Sequence, residues 1–260
     1  MPNTPVLATV VSERSLPDGL RLALTLPVGG ARVPATLLLP AAGAAPAPAA
    51  LLLHGYSASK DLMTESAGRA LLRRGIASLA IDLPLHGERD APTDRALFQN
   101  PLGLVRHWQS ALEECRLAIR YLEQRSEIDA ARLSLVGYSL GAFLGSIVAA
   151  REPSVRALVL AAGGDLPAEV PFAAMIRAVV DPLRAVRKLA GRPLLMVNGR
   201  ADRTIRPDQA ERLFAAANEP KEIRWYDGGH YIPPAAIEGA MDWLAGRLRG
   251  ESAGAASSGR

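Results

Sequence analysis

A single cysteine, Cys115, stands among the 260 residues, so the chain cannot close an intramolecular disulfide. It falls in a helical-looking stretch with no CxxC and no nearby histidine set, and is expected to be a small core residue. No apolar run approaches the length of a bilayer span, and residues 1–11 lack the basic and apolar regions of a leader peptide. A soluble cytoplasmic protein without a membrane partner is the expectation. Clustered cations are missing as well: 30 Lys and Arg against 26 Asp and Glu leave only +4, scattered along the chain. A nucleic-acid surface gathers its cations on one face, so no nucleic-acid partner is expected. GxGxxG and Walker patterns, metal-ligand spacings and internal repeats are all absent, so neither a cofactor nor a metal is expected.

What is present is ordinary globular material. Hydrophobic residues make up 49% and charged residues 22%, enough to bury one large core. Residues 1–249 are expected to form one domain and residues 250–260 a frayed, small and polar tail. Residues 4–14 and 20–26 flank the turn residues Pro17, Asp18 and Gly19, which predicts an antiparallel hairpin. Residues 35–39 read as another strand, and the Ala/Pro/Gly stretch 41–50 as a surface loop.

Beyond this point short continuous apolar runs alternate with helical periods. The runs at 50–53, 76–81, 133–136, 157–160 and 194–197, with a more polar one at 222–226, read as strands buried on both faces. Helices are predicted near 60–74, 104–125, 140–151, 207–217 and 233–249. Such a βαβ series implies an α/β fold with a mainly parallel sheet and helices on both faces. Segments 89–103 and 163–191, interrupted by prolines, break the repeat and are candidate lid insertions over the substrate.

Gly137-Tyr138-Ser139-Leu140-Gly141 follows a predicted strand and opens a predicted helix. GxSxG alone is a weak signal; the strand-turn-helix setting is what a strained turn exposing a nucleophilic serine requires. A serine hydroxyl needs an adjacent base held in one tautomer by a third group. Asp202 lies just past the strand at 194–197, and His230 just past the one at 222–226. Parallel strands would carry both to the edge where Ser139 emerges. Asp165 and Asp227 are rival acids, the first after the preceding strand, the second close to the histidine in sequence. His54 and His86 precede the serine, and His107 falls in a helical stretch, which leaves His230 as the base. The developing oxyanion needs two donors: the N–H of Leu140, next after the serine, and the N–H of Tyr56 in the loop His54-Gly55-Tyr56-Ser57.

The ordered set LLLHGY, DLPLHGE, GYSLG, NGRAD and GGH resembles the α/β-hydrolase superfamily over about residues 35–248. It is most similar to the small prolyl-oligopeptidase-like and dienelactone-hydrolase-like esterases. The resemblance implies the α/β-hydrolase fold with a small lid and a serine-dependent hydrolase, usually of carboxylic esters. It also implies that Asp82–Gly87 lines the active-site side, with His86 a pocket or loop-stabilising residue. Two departures stand out. Ala142 follows Gly141 where many relatives carry a second glycine, and the nucleophile is Ser rather than the Cys of dienelactone hydrolases proper.

The expected activity is therefore hydrolysis of a small-molecule ester of short to medium acyl length, by a monomer or homodimer. Ser139, Asp202 and His230 are its catalytic residues and Tyr56 and Leu140 its oxyanion donors. His54, His86, Tyr138, Leu97, Phe98, Phe172, Met175 and Ile176 are candidate pocket residues, with Leu102 and Leu104 alongside. The same triad could serve a thioesterase, an acyltransferase or a small peptidase, although this chain has no room for the large gating domain of such peptidases. A non-catalytic binding protein of the same fold is the reading from another class.

Overall fold

A computed structural model of the chain describes residues 4–41, 43, 45–89, 101–166 and 173–250. At the N-terminus β1 (Thr9–Leu16) and β2 (Gly19–Val28) form the expected hairpin, and β2 continues antiparallel onto β3 (Ala31–Pro40). Leu22, Leu24, Leu26 and Val28 are buried at alternate positions, the period-2 signature of a strand with one face on the core.

The apolar runs become β4 (Ala47–Leu53), β5 (Ala77–Ile81), β6 (Ile128–Tyr138), β7 (Val155–Ala161) and β8 (Leu194–Gly199), and the more polar one becomes β9 (Lys221–Tyr226). Together they make one nine-stranded sheet in the order β1-β2-β3-β5-β4-β6-β7-β8-β9. Every neighbouring pair from β5 to β9 is parallel, while β3 joins β5 antiparallel.

The crossovers are helical. α1 is composite: Lys60–Met63, a π-helical turn Thr64–Gly68, then Arg69–Leu72. After it come α2 (Pro101–Glu123), α3 (Leu140–Arg151), α4 (Ala173–Val179), α5 (Pro182–Val186), α6 (Pro207–Ala216) and α7 (Pro234–Arg249). Two cores result, one on each face. Residues of α2 through α6, Ile119, Ile147, Ile176, Val186 and Leu213 among them, join one cluster; Met63 and Ala70 of α1 and Met241 and Leu244 of α7 join the other. α3 is buried continuously from Gly141 to Ala149, so it has no amphipathic stripe and reads as a helix enclosed on all sides.

Some boundaries shift. β4 starts at Ala47, inside the stretch assigned to a loop: Ala47 pairs with Ile128, and Pro48, which has no N–H to give, falls where the register slips between Ala47 and Ala49. β3 is ten residues long rather than five because all ten pair with β2, while only Ala35–Leu38 also pair with β5. Of the two insertions, residues 90–100 and 167–172 lie outside the described residues; 173–191 carries α4 and α5. The tail 251–260 also lies outside them. Cys115 is fully buried in the core, where burial pushes its thiol pKa up. Among the described residues no helix is long and apolar enough to cross a membrane.

Candidate active site

β6 ends at Tyr138 and α3 begins at Leu140, so Ser139 alone makes the turn between them. Its φ of 51° with ψ of −111° is sparsely populated for an L-residue, a strain of about 1–3 kcal/mol that only tight surroundings can hold. Two glycines provide those surroundings. A Cβ on Gly137 would fall 2.3 Å from the Gly141 oxygen, and one on Gly141 would fall 2.1 Å from the Leu53 oxygen. The turn is locked by the Ser139 N–H donating to the Ala161 oxygen at 2.9 Å, and it lifts the hydroxyl to the carboxyl end of the sheet.

Two further strand ends meet it there. Past β8, buried Asp202 accepts from the N–H groups of Thr204 (2.8 Å) and Ile205 (3.0 Å) on Oδ1, which leaves Oδ2 facing His230 Nδ1 at 2.8 Å. Past β9, His230 points its Nε2 at Ser139 Oγ, 2.9 Å away. An ionised carboxylate can only accept, so Nδ1 carries the proton and Nε2 is left as the acceptor for the serine hydroxyl. Carboxylate, imidazole and hydroxyl thus form one continuous hydrogen-bond line, able to draw a proton off oxygen and return it.

The rival acids are engaged elsewhere. Asp165 is held by Arg177 at 2.9 Å and Arg212 at 3.4 Å, tying α4 and α6 to the end of β7. Asp227 is an exposed surface group 3.5 Å from Arg200.

Support for the His230 loop comes from two phenols whose role the sequence reading missed. Tyr138 donates to the His230 oxygen at 3.2 Å, and Tyr226 to the Gly229 oxygen at 2.8 Å. Burial pushes the Tyr138 pKa up to about 12 and raises that of Tyr226 as well, so both stay protonated donors. The available signal was a tyrosine at each of two strand ends: a ring for the core and a hydroxyl for a nearby carbonyl.

Across from His230, the loop after β4 comes up against Ser139. A Cβ on Gly55 would lie 3.4 Å from the Ser139 Cβ and 2.9 Å from the Tyr138 ring, so backbone alone fits there. Its neighbour His54, a candidate pocket residue, is fully buried and committed to backbone. Nδ1–H donates to the Gly55 oxygen at 2.7 Å, and Nε2 accepts the Leu83 N–H at 3.0 Å. Burial lowers its pKa to about 4, so it shapes the loop as a neutral ring. His86 sits 5.2 Å from the His54 ring and 5.3 Å from the Tyr56 ring, with Nδ1 2.7 Å from the Pro84 oxygen. Burial lowers the pKa of His107, on α2, to about 4 as well.

Beneath this loop lies an ion cluster that the sequence did not announce. Fully buried Asp82 accepts the N–H groups of Lys60 (2.8 Å) and Glu88 (3.0 Å) and holds Lys60 Nζ at 3.3 Å, and Glu88 bonds the same ammonium. Burial works against the charge on Lys60, but Glu88 and Asp82 outweigh it and raise its pKa.

The remaining pocket candidates do not converge among the described residues. Met175 and Leu102 are exposed, while Ile176 packs into the core with 2% of its surface left. Leu97, Phe98 and Phe172 lie outside the described residues. An apolar cavity does border Tyr138, but it is lined from the opposite core, by α1 and α7. No group of three His, Cys, Asp or Glu among the described residues is arranged to hold a metal ion.

Comparison with known proteins agrees with this fold. A family model described as the alpha/beta hydrolase fold matches residues 48–190. An uncharacterized protein of Mycobacterium tuberculosis is 27% identical over 202 residues, covering 75% of this chain and 66% of that protein, so the chain spans just under two thirds of that relative's length. Esterase YjfP of Escherichia coli is 26% identical over 233 residues, covering 78% of this chain and 90% of that one. Among solved structures, a cold-adapted esterase from an Arctic intertidal metagenomic library superposes with a TM-score of 0.74 at 22% identity, covering 92% of this chain and 98% of that one.

Proposed function

Because this chain belongs to the alpha/beta hydrolase fold family, we propose that it is a serine hydrolase of carboxylic esters. In this reading Ser139 is the nucleophile, His230 the general base and Asp202 the orienting acid. The observation that carries the reading is the unbroken line from Asp202 Oδ2 through the imidazole to Ser139 Oγ, at 2.8 and 2.9 Å, on a strained turn.

The reaction follows from that line. Ser139 Oγ bonds to the ester carbonyl carbon as its proton passes to His230 Nε2, and Asp202 stabilises the imidazolium. Charge gathers on the former carbonyl oxygen, where the N–H of Leu140 and the N–H of Tyr56 are the donors we assign; each such donor is worth about 3–4 kcal/mol in the transition state. The carbon–alkoxy bond then breaks, and Nε2 returns the proton to the departing alcohol. Water, deprotonated by the same nitrogen, attacks the acyl-serine and releases the acid. That one relative bears the name esterase is the reason for reading the substrate as an oxygen ester rather than an amide.

A fluorophosphonate probe should label the wild-type chain and fail to label Ser139→Ala. That variant should lose p-nitrophenyl acetate hydrolysis by about 10⁴-fold or more. Undiminished hydrolysis by folded Ser139→Ala protein sinks the assignment. Acyl-CoA and aminoacyl anilides in the same panel separate the thioesterase and peptidase alternatives.

A further inference from the structure

Between α1 and α7, on the sheet face opposite α3, lies a cavity of about 140 Å³ that the reaction line does not use. Val136, Val159 and Val197, from adjacent strands β6, β7 and β8, line it from the sheet, and Ala67, Ile237 and Ala240 line it from the helices. An apolar space of about this size is enough for one benzene ring. Water would find few partners here, since the Ser66 hydroxyl already donates to the Leu62 oxygen at 2.6 Å and the Tyr138 phenol to the His230 oxygen.

Position separates this cavity from an ordinary packing gap. Its wall includes Tyr138, which precedes Ser139 and whose ring centre lies 5.5 Å from that of His230, so one aromatic ring stands between the cavity and the reacting pair. Its lining includes Tyr231, next after His230 and 86% exposed, and Leu62, 51% exposed, which give it an exposed apolar lip beside the chain neighbour of His230. Ser66 and Ala67 line it from the π-helical turn of α1, an irregularity that recurs at functional sites because it re-aims side chains within a helix.

We infer that this cavity receives the apolar end of the ester substrate, an alkyl or aryl group of about six carbons reaching over Tyr138 from the acyl carbon at Ser139. The inference rests on the ester-hydrolase reading and adds the substrate class: esters of medium-length aliphatic or simple aromatic acids, in place of a pocket built from Met175 and Ile176. Each methylene removed from water is worth about a fourfold gain in kcat/KM.

The test takes the full chain through p-nitrophenyl acetate, butyrate, hexanoate and decanoate, in wild type and in Ala236→Phe, which fills the cavity from α7. The wild type should rise about fourfold per methylene up to hexanoate and stop rising by decanoate, and Ala236→Phe should cut the hexanoate-to-acetate ratio at least tenfold. Ile237→Trp serves if Ala236→Phe lowers the melting temperature appreciably. Binding of 1-hexanol to Ser139→Ala, followed by NMR and lost on adding Ala236→Phe, reads the cavity without turnover. A flat chain-length profile, or a ratio and hexanol binding untouched by both filling variants, overturns the inference while leaving ester hydrolysis standing. Hydrolysis that survives Ser139→Ala overturns the hydrolase reading and the substrate role together, and hexanol binding then reports on the cavity alone.

Discussion

The two flanks of Ser139 are held by opposite means. On the His230 side the fastening is spare: one carboxylate, Asp202, fixed by two backbone N–H groups, and two neutral phenols on the loop carbonyls. On the Gly55–Tyr56 side it is a buried ion cluster, Lys60 with Asp82 and Glu88, backed by a neutral histidine that accepts a backbone N–H. The difference has a chemical reason. Under the proposed mechanism, charge close to the imidazole would bias its proton affinity, which fits a flank with a single carboxylate in contact, whereas a loop asked only to present backbone N–H groups can be anchored by charges placed behind it. The first flank should therefore fail through rate, the second through stability.

The largest effect expected from this contrast is on the first flank. Asp202→Asn keeps the shape but removes the acceptor that holds the Nδ1–H tautomer, and kcat for p-nitrophenyl acetate should fall about 10⁴-fold with an unchanged melting temperature. A fall under tenfold would move the orienting role to another group.

On the second flank the order reverses. Asp82→Ala takes the one fully buried partner from the Lys60 ammonium, 4% exposed, leaves it to the exposed Glu88 and Asp61, and unpairs two N–H groups; urea unfolding should register a loss of about 3 kcal/mol. Asp82→Leu combined with Lys60→Met should cost less than Asp82→Ala alone. If instead the double variant is the worse, the cluster is more than a buried charge pair.

The smallest effect is a matter of pH. His54 is neutral when folded, with its pKa lowered from 6.5 to about 4 by burial, and is surrounded by His86, Asp82 and Lys60. The unfolded chain takes up its proton between those two values and the folded chain does not. Stability from this group is thus fully present above pH 6.5 and declines as pH falls toward 4, by at most about 1.4 kcal/mol per pH unit. His107 adds a decline of the same sign. Guanidinium melts from pH 7 to 4 should show the slope reduced in His54→Gln, which keeps an acceptor for the Leu83 N–H; an unaltered slope would place the acid sensitivity elsewhere.

That Asp202, His230 and Ser139 meet was legible in sequence because each stands just past an apolar run, and the parallel pairing of β6 through β9 brings such strand ends to one edge. The place of His54 was not legible for a related reason: it too stands just past an apolar run, but whether a ring there faces a ligand or is sealed under the next loop depends on Leu83, 29 residues away. Asp82 stood in a quoted motif without a role, since its partner Lys60 is a helix residue that ordinarily would face solvent. Pro48 argued for a loop on composition, and pairing between Ala47 and Ile128 made it a strand.

Residue order and local patterning by themselves determined which side chains could do chemistry and on which strand ends they sit, because apolar periodicity, glycine at crowded turns and the strand-turn-helix junction are properties of neighbours along the chain. Tertiary packing alone decided the 2.8 and 2.9 Å contacts, the neutral buried His54, the ion cluster under its loop and the cavity behind Tyr138. Each of these is a relation between segments distant in sequence, and burial, which sets the strength of every charge and hydrogen bond among them, exists only once the sheet and both helical layers have closed.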